Sequence, residues 1–118
     1  MDSQKNFVEN SLTVSVMPRG SDGYFCFVAQ CHEYDICVQG SSLDECQSRF
    51  VTAVEGHIAL AISMGRTPFA DLPAPPAEIL AELTGRVPTQ ASSRPIGRRA
   101  ATGVDLQNLG GRATFAIA

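Results

Sequence analysis

Residues 12–17, LTVSVM, alternate apolar and polar side chains with the period of two that is typical of a half-buried β-strand. Pro18 follows and is expected to end this strand. The turn-forming residues Gly20, Ser21, Asp22 and Gly23 then lead into the apolar run 24–29, YFCFVA. The pattern predicts a β-hairpin whose second strand is central, covered by a helix on one face and by the hairpin or a second subunit on the other.

A third strand is predicted at residues 35–39, DICVQ, and a long helix follows it. The helix is expected to begin at Ser42 with a capping box, in which Ser42 Oγ accepts the Glu45 N–H and the Glu45 carboxylate accepts the Ser42 N–H. It is expected to run for about 22 residues and to end at Gly65. Its apolar positions recur at steps of three and four and include Leu43, Cys46, Phe50, Val54, His57, Ile58 and Ile62.

Prolines 68, 73, 75 and 76 prevent this helix from continuing, and a second, shorter helix is predicted from Pro76 to Gly85. Residues 86–112 show neither the helical nor the strand period, so an irregular tail is expected there. The last six residues, ATFAIA, alternate again and can add a strand to a sheet edge, in this chain or in another.

These elements predict an α+β protein in β-β-β-α order, with one long helix packed on a three-stranded antiparallel sheet that a further strand can extend. The predicted domain covers residues 1–85, and residues 86–118 form a basic C-terminal tail. Such a small sheet leaves an edge strand and part of one face exposed, so we expect a homodimer.

Composition narrows the class of protein. The chain has 118 residues and 12.6 kDa, which suits one small domain. No stretch approaches the roughly 18 consecutive apolar residues of a membrane span, and the first residues lack the plan of a signal peptide. We therefore expect a cytoplasmic protein without membrane contact, whose four cysteines are buried, reduced thiols.

Charge is distributed unevenly along the chain. Residues 1–85 carry eleven carboxylates against four basic side chains, a net charge of −7, whereas residues 86–118 carry five arginines against one aspartate, a net charge of +4. An acidic body repels nucleic acid and favours a basic partner.

Two groups of residues suggest metal or nucleophile chemistry, and the spacing argues against both. The zinc-type ligands Cys26, Cys31, His32 and Cys37 do not form close pairs, and Cys26 and Cys31 point to opposite faces of one strand. Cys46 and His57 are eleven residues apart on one helix, about 16 Å along its axis, so neither can activate the other. We interpret His57 as a core histidine and predict no metal, no cofactor and no catalytic residue.

A segment of eighteen residues resembles a known family. AQCHEYDICVQGSSLDEC, from Ala29 to Cys46, together with the turn sequence DGY before it and Gly65 and Pro68 after it, is similar to the HicB-like antitoxins. The resemblance covers about residues 12–76. His32 stands where the family commonly has proline, and Cys46 where it commonly has alanine.

The resemblance implies a partial ribonuclease H-like fold, a sheet crossed by a helix and often extended by a further strand, without that enzyme's catalytic carboxylates. It also implies a non-enzymatic partner of HicA, a small basic messenger-RNA interferase whose RNA-binding surface the antitoxin covers. Many members carry a C-terminal DNA-binding module, but residues 86–118 show no capped pair of amphipathic helices, so the resemblance does not extend to that module and direct DNA binding is left open.

We therefore expect a binding protein that neutralises a HicA-like toxin. The alternatives are a solitary self-associating module and, less favoured, a metal-dependent RNA hydrolase that uses some of the turn and helix carboxylates. The residues predicted to contact a partner are the turn acids and two acids of the long helix, namely Asp22, Glu33, Asp35, Asp44 and Glu55.

Overall fold

A mixed five-stranded β-sheet organises the chain in a computed structural model that describes residues 11–21, 23–85, 88, 90–96 and 111–117. In chain order the elements are β1 (Ser11–Ser21), β2 (Tyr24–Cys31), β3 (Cys37–Gly40), α1 (Leu43–Ser63), α2 (Ala77–Thr84), β4 (Gln90–Pro95) and β5 (Arg112–Ile117). The strands lie in the order β3-β2-β1-β5-β4. The α+β class and the order of the first four elements are confirmed, but the sheet has five strands instead of three.

The predicted hairpin is confirmed, with Ser21 opposite Tyr24 across a two-residue turn. Gly23 has a φ of 82°, a conformation that favours glycine. The prediction that Pro18 ends the first strand is wrong, because β1 continues to Ser21 with Pro18 opposite Phe27. In an antiparallel pair, successive residues point their backbone N–H groups alternately toward and away from the partner strand, and counting from the hairpin turn places the Pro18 nitrogen on the side away from β2. On that side β5 ends opposite Val16, so the missing N–H of Pro18 costs no hydrogen bond of the sheet.

The long helix begins and ends as predicted, with one change in its N-terminal cap. Ser42 Oγ accepts the Glu45 N–H at 3.1 Å, but the Glu45 carboxylate accepts Ser41 N–H at 2.6 Å and Ser41 Oγ–H at 2.8 Å, not Ser42 N–H. These bonds from Ser41 lower the pKa of Glu45. At the other end, Gly65 at φ 73° forms a Schellman motif, in which Arg66 N–H donates to Ala61 O.

The prediction of an irregular tail is wrong for the described part of residues 86–118. β5 pairs in parallel with β1, so the alternative in which the last residues add a strand within this chain is confirmed. β4 then pairs antiparallel with β5 as an edge strand. Strands from both predicted segments, 1–85 and 86–118, therefore share one sheet.

The pattern of apolar and polar residues did not predict strand β4, QASSRP. Its side chains on the α1 side are polar because they hydrogen-bond to the helix instead of entering the apolar core. Ser92 Oγ donates to Gln47 Oε1 at 2.9 Å, and Arg94 Nε donates to the same oxygen at 3.0 Å. Without apolar alternation, no period of two is visible in the sequence.

The main core lies between α1 and one face of the sheet. Its fully buried members include Phe50 and Phe115, whose rings meet edge to face with centroids 5.7 Å apart. The strands contribute Leu12, Val14, Val16, Ala29, Cys31, Ala113 and Ile117, and the helix contributes Cys46, Val51, Val54 and Ile58.

Helix α2 covers part of the opposite face of the sheet, where a hairpin or a second subunit was expected. Leu83 is its buried residue, and Glu82 pairs with Arg19 of β1 at 3.0 Å. Within the described residues, neither helix combines the length and the hydropathy that a membrane span requires.

The position of β5 in the core gives a direct stability test. Replacing the fully buried Phe115 by alanine should lower the free energy of unfolding by about 3–5 kcal/mol, because the change removes aromatic contacts and leaves a cavity. Thr114→Ala, on the exposed side of the same strand, should change it by less than about 0.5 kcal/mol. Urea unfolding followed by circular dichroism measures both; equal effects would contradict the placement of β5.

Candidate functional site

The acidic residues predicted to bind a partner lie in two separate places. Glu33 and Asp35 belong to the connection between β2 and β3, whereas Asp44 and Glu55 belong to α1. Asp22, the fifth, lies outside the described residues. The structure therefore does not bring the described four together into one cluster.

The connection, residues 32–36, presents two exposed carboxylates that are held by neutral donors. Glu33 Oε1 accepts the Thr13 N–H at 2.9 Å, and Asp35 Oδ1 accepts Gln30 Nε2–H at 3.4 Å. Four ion pairs join described residues, and neither Glu33 nor Asp35 takes part in them. We call this segment the acidic connection.

Backbone hydrogen bonds fix the acidic connection. His32 N–H donates to Thr13 O at 2.8 Å, and Asp35 N–H donates to Pro73 O at 2.8 Å, so the segment is tied to β1 and to the chain that leads to α2. Ile36 O in turn accepts the Cys31 N–H at 2.9 Å. These bonds take residues 35 and 36 out of the predicted third strand, which begins only at Cys37.

Asp44 is already paired within the chain. Arg94 of β4 reaches across to α1, where its guanidinium donates to Asp44 Oδ1 at 2.7 Å and to Ser48 Oγ at 2.8 Å. A basic partner at this end of the helix would have to compete with Arg94.

Glu55 lines a groove of about 340 Å³ between α1 and β4. Val51 forms part of its floor, and Arg94 and Pro95 form its wall on the β4 side. The groove thus carries charges of both signs, unlike the acidic connection.

The cysteines form no metal site among the described residues. There, no group of three or more His, Cys, Asp or Glu side chains lies close enough together to hold an ion. Cys26, Cys31 and Cys46 are buried thiols as predicted, but Cys37 is exposed, because it lies on the edge strand β3. Burial raises the pKa of Cys31 and of Cys46 to about 11, so both stay protonated at neutral pH.

His57 is half-buried, and its ring is hydrogen-bonded within the protein, as the sequence predicted. Its Nε2 accepts the backbone N–H of Phe69 at 3.0 Å, and its ring lies against the Phe69 ring with centroids 5.1 Å apart. Phe69 has a φ of 70°, a costly conformation for a large side chain, and it also stacks on Tyr34. His57 therefore helps to hold the turn that follows α1.

One polar pair was missed by the sequence analysis. Ser15 Oγ lies 2.8 Å from His32 Nε2, and both side chains line a cavity on the face of the sheet opposite α1. Ser15 is opposite Gln30, so His32, two residues further along, is its diagonal neighbour on the same face. The register of the two-residue hairpin would have indicated this pair.

Comparison of the chain with protein-family models, with curated proteins and with solved structures finds no match. Function must therefore be argued from the residues and their geometry.

His57 makes stability depend on pH. Burial lowers its pKa below the usual 6.5, and nearby Asp71 opposes this shift. The unfolded chain consequently binds a proton at His57 more readily than the folded one. The contribution of the neutral His57 to the free energy of unfolding is therefore fully present above about pH 6.5 and is lost as the pH falls toward the folded-state pKa.

Removal of the imidazole tests this contribution. We expect His57→Leu to lower the free energy of unfolding by about 1–3 kcal/mol at pH 7.5, because the Phe69 N–H loses its acceptor. The loss relative to wild type should shrink between pH 7 and pH 5. Urea unfolding at pH values across this range measures it, and a constant difference would contradict the assignment.

Proposed function

We propose that this protein is a HicB-like antitoxin, or a binding protein derived from one, that neutralises a small basic messenger-RNA interferase by covering its RNA-binding surface. The proposal is supported by the similarity of residues 29–46 to that family and by the acidic connection, which lies inside the same segment.

The observation that carries the proposal is that Glu33 and Asp35 are exposed and form no ion pair with described residues. A carboxylate that is already paired must lose its partner before it binds another cation, whereas these two need lose only water and a neutral hydrogen bond. They can therefore attract a basic protein at long range and fix its orientation.

The backbone bonds of the acidic connection add to this argument. Because His32 and Asp35 are anchored by their N–H groups, little conformational entropy is lost when the segment meets a partner. We rank Glu33 and Asp35 ahead of Asp44, which is paired with Arg94. Glu55 stays among the predicted contacts without a rank.

Isosteric neutralisation tests the acidic connection without disturbing its hydrogen bonds. The double change Glu33→Gln and Asp35→Asn keeps an oxygen acceptor at each position but removes both charges. We expect the affinity for the co-expressed basic partner to fall by about tenfold or more, mainly through slower association, and the loss to shrink at high salt. Surface plasmon resonance at 50 and 300 mM salt measures both.

The matched control is Glu78→Gln, which removes one exposed charge from the first turn of α2 and should leave affinity nearly unchanged. The partner is the small basic product of an adjacent gene, co-expressed and purified with this chain. If no such protein co-purifies, the toxin-neutralising role is refuted. If one co-purifies and the double variant binds it normally, the acidic connection is not the contact surface.

A second candidate function, a solitary self-associating module, is favoured by the position of β4. This strand pairs with β5 on one side, and no other described strand pairs with its outer edge. An unpaired edge is a template for a strand from a second chain. A homodimer joined at β4 would give a continuous sheet.

Edge pairing can be tested by adding charge. Ala91→Lys on β4 should convert a dimer to a monomer, because a lysine on an edge strand disfavours pairing with another strand. Thr114→Lys places the same charge on the same face of the neighbouring strand β5 and should leave the dimer intact. Light scattering gives the mass; a monomeric wild type, or a dimer in both variants, would count against the β4 interface.

A further inference from the structure

A cavity of about 270 Å³ lies between α2 and the face of the sheet opposite α1. Its apolar wall includes the buried side chains of Met17 and Leu83, together with Ala116. Its polar lining residues are Thr13, Ser15 and His32 on the sheet side and Thr84 on α2. A cavity that combines apolar side chains with a few polar groups is the usual form of a small-molecule site.

The Ser15–His32 pair retains hydrogen-bonding capacity toward this cavity. A serine hydroxyl has one donor and two acceptor lone pairs, and the contact with His32 Nε2 uses one of these three. If the hydroxyl donates to Nε2, both lone pairs remain; if it accepts from Nε2–H, its own proton remains. In each case a ligand hydroxyl can form a further bond with Ser15.

The position of Ser15 in the sheet favours a binding role for the Ser15–His32 pair over acyl transfer. Ser15 lies inside the sheet, opposite Gln30 of β2 and Ala116 of β5, so neighbouring strands flank its backbone on both sides. Its N–H consequently faces a neighbouring strand and is not available as an oxyanion donor.

We propose that this cavity binds a small, uncharged aromatic molecule with one hydroxyl group, of the size of p-cresol. The hydroxyl bonds to the Ser15–His32 pair, and the ring packs against Met17 and Leu83. Methionine sulfur contacts aromatic rings favourably. His32 belongs both to this site and to the acidic connection, but the ligand proposal does not rest on the proposed antitoxin function.

An uncharged ligand fits because the described residues that line the cavity include no carboxylate, arginine or lysine. Arg19 and Glu82, which lie on the same face of the sheet, form an ion pair with each other at 3.0 Å. An ionised ligand would lose its hydration without gaining an opposite charge from the described lining residues.

The experiment titrates the full-length protein with p-cresol and, separately, with toluene, which has the same ring and methyl group but no hydroxyl. Amide chemical shifts from ¹H–¹⁵N NMR report the affinity and the location. We expect p-cresol to bind about tenfold more tightly than toluene, a ratio typical of one hydrogen bond. Shifts should concentrate at the cavity residues, and the ¹⁵N resonance of His32 Nε2 should move.

Three variants locate the site. Ser15→Ala should reduce the preference for p-cresol over toluene, and Ala116→Leu should abolish binding of both by filling the cavity. Ser63→Ala, an exposed serine at the end of α1, is the matched control and should bind as wild type does.

Toluene binding as tight as p-cresol binding to the wild-type protein would overturn the role of the Ser15–His32 pair, and this comparison needs no variant to fold. Unchanged binding in Ala116→Leu, or shifts spread over the whole surface, would overturn the site itself.

Discussion

The described fold is built around the parallel pairing of β5 with β1. This pairing joins residues that are about 100 positions apart in the chain, with Phe115 opposite Val14. Through it Phe115 reaches the ring of Phe50 on α1, so that one side chain connects the last strand, the central strand and the long helix. β4 has a place only because β5 is there to pair with it.

This arrangement changes the electrostatics of the chain. In the sequence the arginines of residues 86–118 are far from the acidic residues of the long helix, but β4 brings Arg94 to Asp44 at 2.7 Å. Part of the acidic surface near that edge is thereby neutralised from within. The acidic connection, between β2 and β3, forms no ion pair with a described residue.

The two faces of the sheet are covered to different degrees. The 21-residue helix α1 covers one face, and its side chains there include the fully buried Phe50, Val54 and Ile58. The other face receives the eight-residue α2, which buries Leu83 but leaves a cavity next to Ser15 and His32. Ser15, a polar residue, is buried there because its hydrogen bond to His32 compensates the loss of water.

Elements whose signals are local were predicted correctly from the sequence. The hairpin follows from the glycine-containing turn, the limits of α1 follow from Ser42 and Gly65, and the role of His57 follows from its place on the apolar helix face. Other features depend on contacts between distant segments. β4 has no apolar alternation because its inward side chains hydrogen-bond to Gln47 and Asp44. Pro18 stays within β1 because its nitrogen points to the β5 side, where the pairing with β5 ends at Val16. Ion pairing of Asp44 and the cavity beside Ser15 likewise depend on long-range pairing. The hydrophobic period of a segment shows which of its side chains face an apolar core. It does not show which strand or which cation lies opposite, because that depends on a second segment far away in the chain.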